Sequence, residues 1–105
     1  MSIQVPTVEV DGVPAPLPPH VHVLDVREQH EWDAGHIEGA QHIPLGDLGA
    51  RVDEVPADRK VLCVCHIGGR SAQATVFLNR QGRDVVNLAG GMDAWSGSGR
   101  PIVGD

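Results

Sequence analysis

The run Val61-Leu62-Cys63-Val64 has no polar face to turn to water. It is the most apolar strand-like stretch of the chain, with Lys60 before it and a glycine-containing loop after it. A short segment of this kind reads as a strand buried on both faces, at the centre of a parallel sheet covered by helices. The rest of the chain must therefore supply flanking strands and two layers of helix.

The neighbouring segments do alternate in that way. Residues 4–10 read as a short edge strand, Asp11-Gly12 as a turn, and 14–19 as a proline-dense connection that no helix interior tolerates. Residues 20–26 are β-branched and alternating, the mark of a strand. Residues 28–34 form a short polar helix stopped at Gly35. A brief strand covers 41–43, and Pro44 opens a helix to about Val55. Lys60–Val64 is the central strand. Residues 71–81 place Ala72, Val76 and Leu78 near helical spacing, with Gly82 as the stop. Asp84–Leu88 is the last strand, and Gly90-Gly91 precedes a short helix through Trp95. Strands alternating with helices imply a parallel sheet with helices on both faces.

At 105 residues the chain is one domain, 1–105, with one modest core. With one Phe and no Tyr, that core must be filled by Val, Leu, Ile and Ala. A net charge of −6 argues against nucleic acid or an anionic membrane as partner. It does not exclude a small anionic substrate, because a local cluster of donors can oppose the global field. Residues 1–12 have neither the basic start of a signal peptide nor the length of a membrane span. The two cysteines, i and i+2 on one strand, are poorly placed to bridge each other. Reduced thiols in the cytoplasm are the expectation, with a monomer as the default state.

The chemistry concentrates in Cys65-His66-Ile67-Gly68-Gly69-Arg70-Ser71. A thiol at the carboxyl end of a strand enters a glycine loop just before a helix amino terminus. In open α/β sheets, ligands bind on that rim. The glycines let backbone N–H groups converge into an anion-binding nest, and the helix end adds partial positive charge. Arg70 adds a full charge and a fork of donors. Each term favours thiolate, so Cys65 is expected to be a nucleophile with a lowered pKa.

Four motifs, in order, resemble those of single-domain rhodaneses, a sulfurtransferase family. They are Asp25-Val26-Arg27-Glu28; Gly35-His36-Ile37-Glu38-Gly39-Ala40 with Ile43-Pro44; the Cys65–Ser71 loop; and Leu88-Ala89-Gly90-Gly91-Met92-Asp93-Ala94-Trp95. The similarity spans a core module at 20–103, with 1–19 as an edge strand and proline-rich lead-in. It implies a rhodanese-like α/β fold: a five-stranded, mostly parallel sheet with helices on both faces. It also implies that Cys65 takes a sulfur from a donor, often thiosulfate, and holds it as a persulfide for cyanide, a thiol or a protein acceptor. No metal or organic cofactor is required. Cysteine phosphatases and arsenate reductases share the Cys, cradle and Arg but place one more residue between Cys and Arg, so that chemistry is disfavoured. A non-catalytic or protein-to-protein sulfur-relay module remains the alternative. Many thiosulfate-using members carry a basic residue directly after the cysteine. Here His66 stands in that place, followed by Ile67, which suits an apolar docking contact.

The remaining residues have readings on both sides. Cys63 is read as core. Arg70 organises the loop, with or without substrate contact, or forms a structural ion pair. Ser71 is most simply an N-cap, with contact to the sulfur as the lesser reading. Asp25 supports the loop, pairs with Arg70 or caps the next helix. Arg27 and Glu28 are read as a local charge pair, and His36 as a structural histidine. Trp95 lines the pocket near Gly90-Gly91 or packs in the core. His20, His22, His30 and His42 lack the compact spacing of a metal site.

Overall fold

A computed structural model describes residues 4–104; residues 1–3 and 105, the extreme ends of the expected domain, lie outside it. Five strands form one sheet: β1 (Thr7–Val8), β2 (Val21–Asp25), β3 (Gln41–His42), β4 (Lys60–Val64) and β5 (Asp84–Leu88). Their order is β1-β5-β4-β2-β3, and every pairing is parallel. The expected sheet is thus present, and β4 lies at its centre. Val61, Leu62, Cys63 and Val64 are all buried, as a strand covered on both faces must be.

Side-chain alternation divides the core in two. Leu24, Val26, Val61, Cys63, Cys65 and Val85 face one way, against Ala74 and Leu78 of helix α3 (Gly69–Arg80). Val23, Leu62, Val64 and Leu88 face the other way, against Met92 and Trp95 of helix α4 (Gly91–Gly97). Two shorter helices complete the layers, α1 (Gln29–Asp33) and α2 (Leu45–Leu48).

Several boundaries differ from expectation for local reasons. The helix expected over 44–55 is only α2 followed by a 3₁₀ turn at Val52–Glu54. Gly46 and Gly49 remove the helix propensity a continuous segment would need. Burial of Leu48 and Val55 fixes the path instead. Helix α3 starts at Gly69, ahead of Ser71, because Gly68 at φ +111° turns the chain first. The first strand is confined to Thr7–Val8, and Val10–Gly12 is a 3₁₀ turn.

The lead-in is part of the core. Val10 and Val13 are buried in the cluster that holds Trp95. Arg100 donates to the carbonyls of Val10 (3.0 Å) and Val13 (2.6 Å) and lies over the Trp95 ring. The tail is tied by an antiparallel bridge between His36 and Val103. The carboxyl ends of β2, β4 and β5 share one rim, and the Asp25, Cys65 and Gly90-Gly91 segments meet there.

Candidate active site

Cys65 is the first residue beyond β4 and is almost wholly buried. The chain then folds back so that the Gly68 N–H donates to Cys65 Sγ at 3.0 Å. The left-handed Gly68 backbone, at φ +111°, makes this possible. The Ser71 hydroxyl lies 3.3 Å from Sγ. Burial pushes the Cys65 thiol up, but the Ser71 hydroxyl and the N–H groups of Ser71, Gly68 and Arg70 outweigh it, and the net shift is down. The donors that lower the sulfur lie between Gly68 and Ser71, a narrower stretch than the 66–71 segment of the sequence reading. Ser71 is not the N-cap, a position Gly68 occupies. It sits inside the first turn of α3, and that placement turns its hydroxyl onto the sulfur.

The loop is held from the other side by α4. The carbonyls of Cys65 and His66 accept from the N–H groups of Met92 (2.7 Å) and Asp93 (2.9 Å). This approach requires Gly91. Its φ is +56°, and a Cβ there would stand 2.3 Å from the Cys65 carbonyl oxygen. Gly90-Gly91 thus supports the loop from below. Trp95 does not line its mouth: it is a buried core residue whose indole N–H donates to the Pro101 carbonyl at 3.0 Å.

The charged residues pair differently from the sequence reading. Arg70 forks onto Glu31, with Nη1–Oε1 at 2.6 Å and Nη2–Oε2 at 2.9 Å. Those bonds hold the Glu31 carboxyl down to about 2, against an opposing push from burial. The Arg70 cation is thereby paired, and the backbone N–H of Arg70 helps to lower the thiol. Asp25 pairs neither with Arg70 nor with loop N–H groups. It is fully buried and binds Arg27 through Oδ2–Nη2 (2.8 Å), Oδ1–Nε (2.9 Å) and the Arg27 N–H (3.0 Å). Arg27 also donates to the Gly35 carbonyl at 2.7 Å, which fixes the turn beside the mouth. Glu28 does not pair with Arg27; it caps α1 in a reciprocal box with Glu31.

Beside the mouth lies a cavity of about 210 Å³, lined by Arg27, Glu31, His66, Asp93 and Ile102 among others. Ile67 is 67% exposed, the most exposed large apolar side chain among the described residues. A larger cleft, near 650 Å³, is lined by Thr7, Lys60, Arg80 and Asp84 at the other end of the sheet, away from the thiol. His36 and His42 each stack on the Trp32 ring. The His36 Nδ1 lies 3.0 Å from the Trp32 carbonyl, in keeping with a structural histidine. Among the described residues, no group of three His, Cys, Asp or Glu could hold a metal ion. Nor is any helix long and apolar enough to cross a membrane. Cys63 is buried on β4, and burial first, then Cys65 and Asp25, push its thiol up.

Two residues escape the sequence reading. Glu31 clamps Arg70 from 39 positions away, and nothing local signals it. Asn87 is buried and its Oδ1 is in close contact with the Ser71 hydroxyl. It had a signal: it interrupts the apolar run Val85-Val86-Asn87-Leu88 at a position that alternation assigns to the core.

A family model for the rhodanese-like domain matches residues 15–98. The chain is 38% identical over 78 residues to YrkF of Bacillus subtilis, a candidate sulfur carrier protein; the match covers 73% of this chain and 42% of YrkF. It therefore spans less than half the length of that relative. It is 36% identical over 74 residues to the thiosulfate sulfurtransferase GlpE of Pseudomonas fluorescens, covering 70% of this chain and 68% of GlpE. Among solved structures, a rhodanese-related protein from Thermoplasma volcanium superposes with a TM-score of 0.89 at 30% identity, over 95% of this chain and 99% of that one.

Proposed function

The chain belongs to the rhodanese-like sulfurtransferase family, and on that premise we propose that Cys65 is the nucleophile of a sulfur transfer from an anionic donor such as thiosulfate to cyanide or a thiol. In the first step the Cys65 thiolate attacks the outer sulfur of thiosulfate. The S–S bond of the donor breaks, sulfite leaves with the electron pair, and Cys65 carries an anionic persulfide. In the second step the acceptor attacks the outer sulfur, and the Cys65 thiolate leaves. The cycle is ping-pong and has no net redox change. Gly68 N–H and the Ser71 hydroxyl face Sγ and stabilise the Cys65 thiolate, both before it attacks and as it leaves in the second step. The reaction needs a reduced thiol, which suits the cytoplasm.

The observation that carries this reading is a buried sulfur that accepts a backbone N–H at 3.0 Å, on the rim where parallel strands end. Intact mass tests it. Incubation with thiosulfate should add one sulfur atom, cyanide should remove it, and Cys65→Ser should show no gain. Absence of sulfur uptake from thiosulfate and from persulfidated protein alike defeats the proposal.

A relay reading is favoured by the charges at the mouth. Arg70 is committed to Glu31 and Arg27 to Asp25, while Asp93 adds a carboxylate. A free dianion meets little unopposed positive charge there. A persulfide carried on a partner protein, docking against the exposed Ile67, avoids that cost. This reading predicts sulfur uptake from a persulfidated protein at concentrations where thiosulfate gives none.

A further inference from the structure

One proton is asked to serve three acceptors behind the loop. Ser71 Oγ lies 3.3 Å from Cys65 Sγ and 3.3 Å from the Gly68 carbonyl oxygen, and it is in short contact with Asn87 Oδ1. A hydroxyl donates once. The amide oxygen is the nearest acceptor, so here the Ser71 proton goes to Asn87, and Oγ turns a lone pair toward the sulfur. That arrangement fits a thiol, whose S–H donates to Oγ. An anionic sulfur needs the proton instead, and it is as a donor that the Ser71 hydroxyl holds the Cys65 thiol down.

An amide can reverse this polarity without moving its backbone. Turning over about its last bond exchanges Oδ1 for Nδ2, two groups of similar size. Nδ2–H then donates to Ser71 Oγ, and the Ser71 proton is released to the sulfur. Among the described residues, Nδ2 has no hydrogen-bond partner to lose. The space beside it belongs to Gly68, where even an added Cβ would stay 4.0 Å away. Ser71 is fully buried and Asn87 nearly so, so water has little access to the hydroxyl they share.

We propose that Asn87 is a positioning residue for the nucleophile: its amide turns over with the charge on Cys65, so that the one Ser71 hydroxyl supports the thiol in one orientation and the thiolate in the other. The thiol proton itself leaves to water; within the protein only hydrogen bonds rearrange. The charged and titratable groups around Cys65 are Asp25 at the end of β2, Arg27 just beyond it, Glu31 of α1, Cys63 of β4, His66 of the loop, Arg70 of α3 and Asp93 of α4. Of the side chains near Cys65, it is the Ser71 hydroxyl that touches Sγ, so the sulfur and the amide communicate through it.

The test is the pH dependence of Cys65 alkylation by iodoacetamide in the full chain, with no sulfur donor present. Ser71→Ala in the native background should slow alkylation at neutral pH about tenfold, an upward shift of roughly one pH unit. Asn87→Asp can only accept, so it holds the Ser71 proton away from the sulfur and also slows the reaction. Adding Ser71→Ala to Asn87→Asp should then change the rate less than about twofold, because the proton is already withdrawn. An equal tenfold loss in both backgrounds overturns the proposal. A buried Asp can prevent folding, so a second measurement uses the native chain. The side-chain amide resonances of Asn87 should titrate with the alkylation midpoint of Cys65 and cease to do so in Ser71→Ala. Amide resonances that ignore the sulfur's ionisation overturn the proposal equally. Although the role rests on Cys65 being the nucleophile, sulfur uptake and these titrations are separate readouts, and either can fail alone.

Discussion

Two thiols stand two residues apart on the same face of the sheet and take opposite shifts. Cys63 has buried side chains around it and stays a thiol. Cys65 meets a hydroxyl and three N–H groups and ionises more readily. In the folded chain, an alkylating reagent at about pH 7.5 should therefore label only Cys65, and mass should show a second label only after unfolding. Two labels in the native state count against this account. The shift also carries a sign for stability. A depressed thiol contributes stability above the ordinary thiol range and loses it as pH falls through the folded value. Native protein should gain stability over Cys65→Ser as pH rises toward about 9, measured by denaturant unfolding at several pH values. Cys65 was legible because its donors follow it directly along the chain. Arg70's true partner, Glu31, was not, because only folding brings those positions together.

At the scale of elements, the site is a loop gripped by two helices. Helix α1 reaches α3 through the Glu31–Arg70 fork, with side chains 21% and 34% exposed. That pair is worth about 1–2 kcal/mol, toward the lower end because it is partly in water. Glu31→Gln should lower unfolding stability by that amount near neutral pH. Because the Glu31 carboxyl lies below its ordinary value of 4.5, the contribution is complete above that value and is lost as pH falls toward about 2. The stabilities of the native chain and of Glu31→Gln should therefore converge in acid. Helix α4 approaches the loop through Gly91, where an added Cβ meets backbone and not a flexible side chain. Gly91→Ala should cost more than about 2 kcal/mol by denaturant unfolding and return Cys65 alkylation toward the ordinary thiol range. The Gly90-Gly91 pair was visible in the sequence as a motif. Its reason, close contact with the Cys65 and His66 carbonyls, was not.

At the scale of the whole molecule, the lead-in and the segment after α4 complete the second core layer. Val10 and Val13 pack into it, and Arg100 holds their carbonyls while covering Trp95. Arg100→Ala should release this corner at a cost of roughly 1–3 kcal/mol, read as a lowered denaturation midpoint, with little change in Cys65 alkylation of the remaining folded protein. The sequence by itself determined the parallel sheet, its central strand and the loop that carries the proposed nucleophile. Those features are written in apolar periodicity and in neighbouring residues, which are local properties. The tertiary structure alone decided which carboxylate meets which guanidinium, that Ser71 turns to the sulfur and Asn87 backs it, and that the lead-in belongs to the core. Each of these joins residues distant in the chain, and strand register and helix packing, not spacing, bring them into contact.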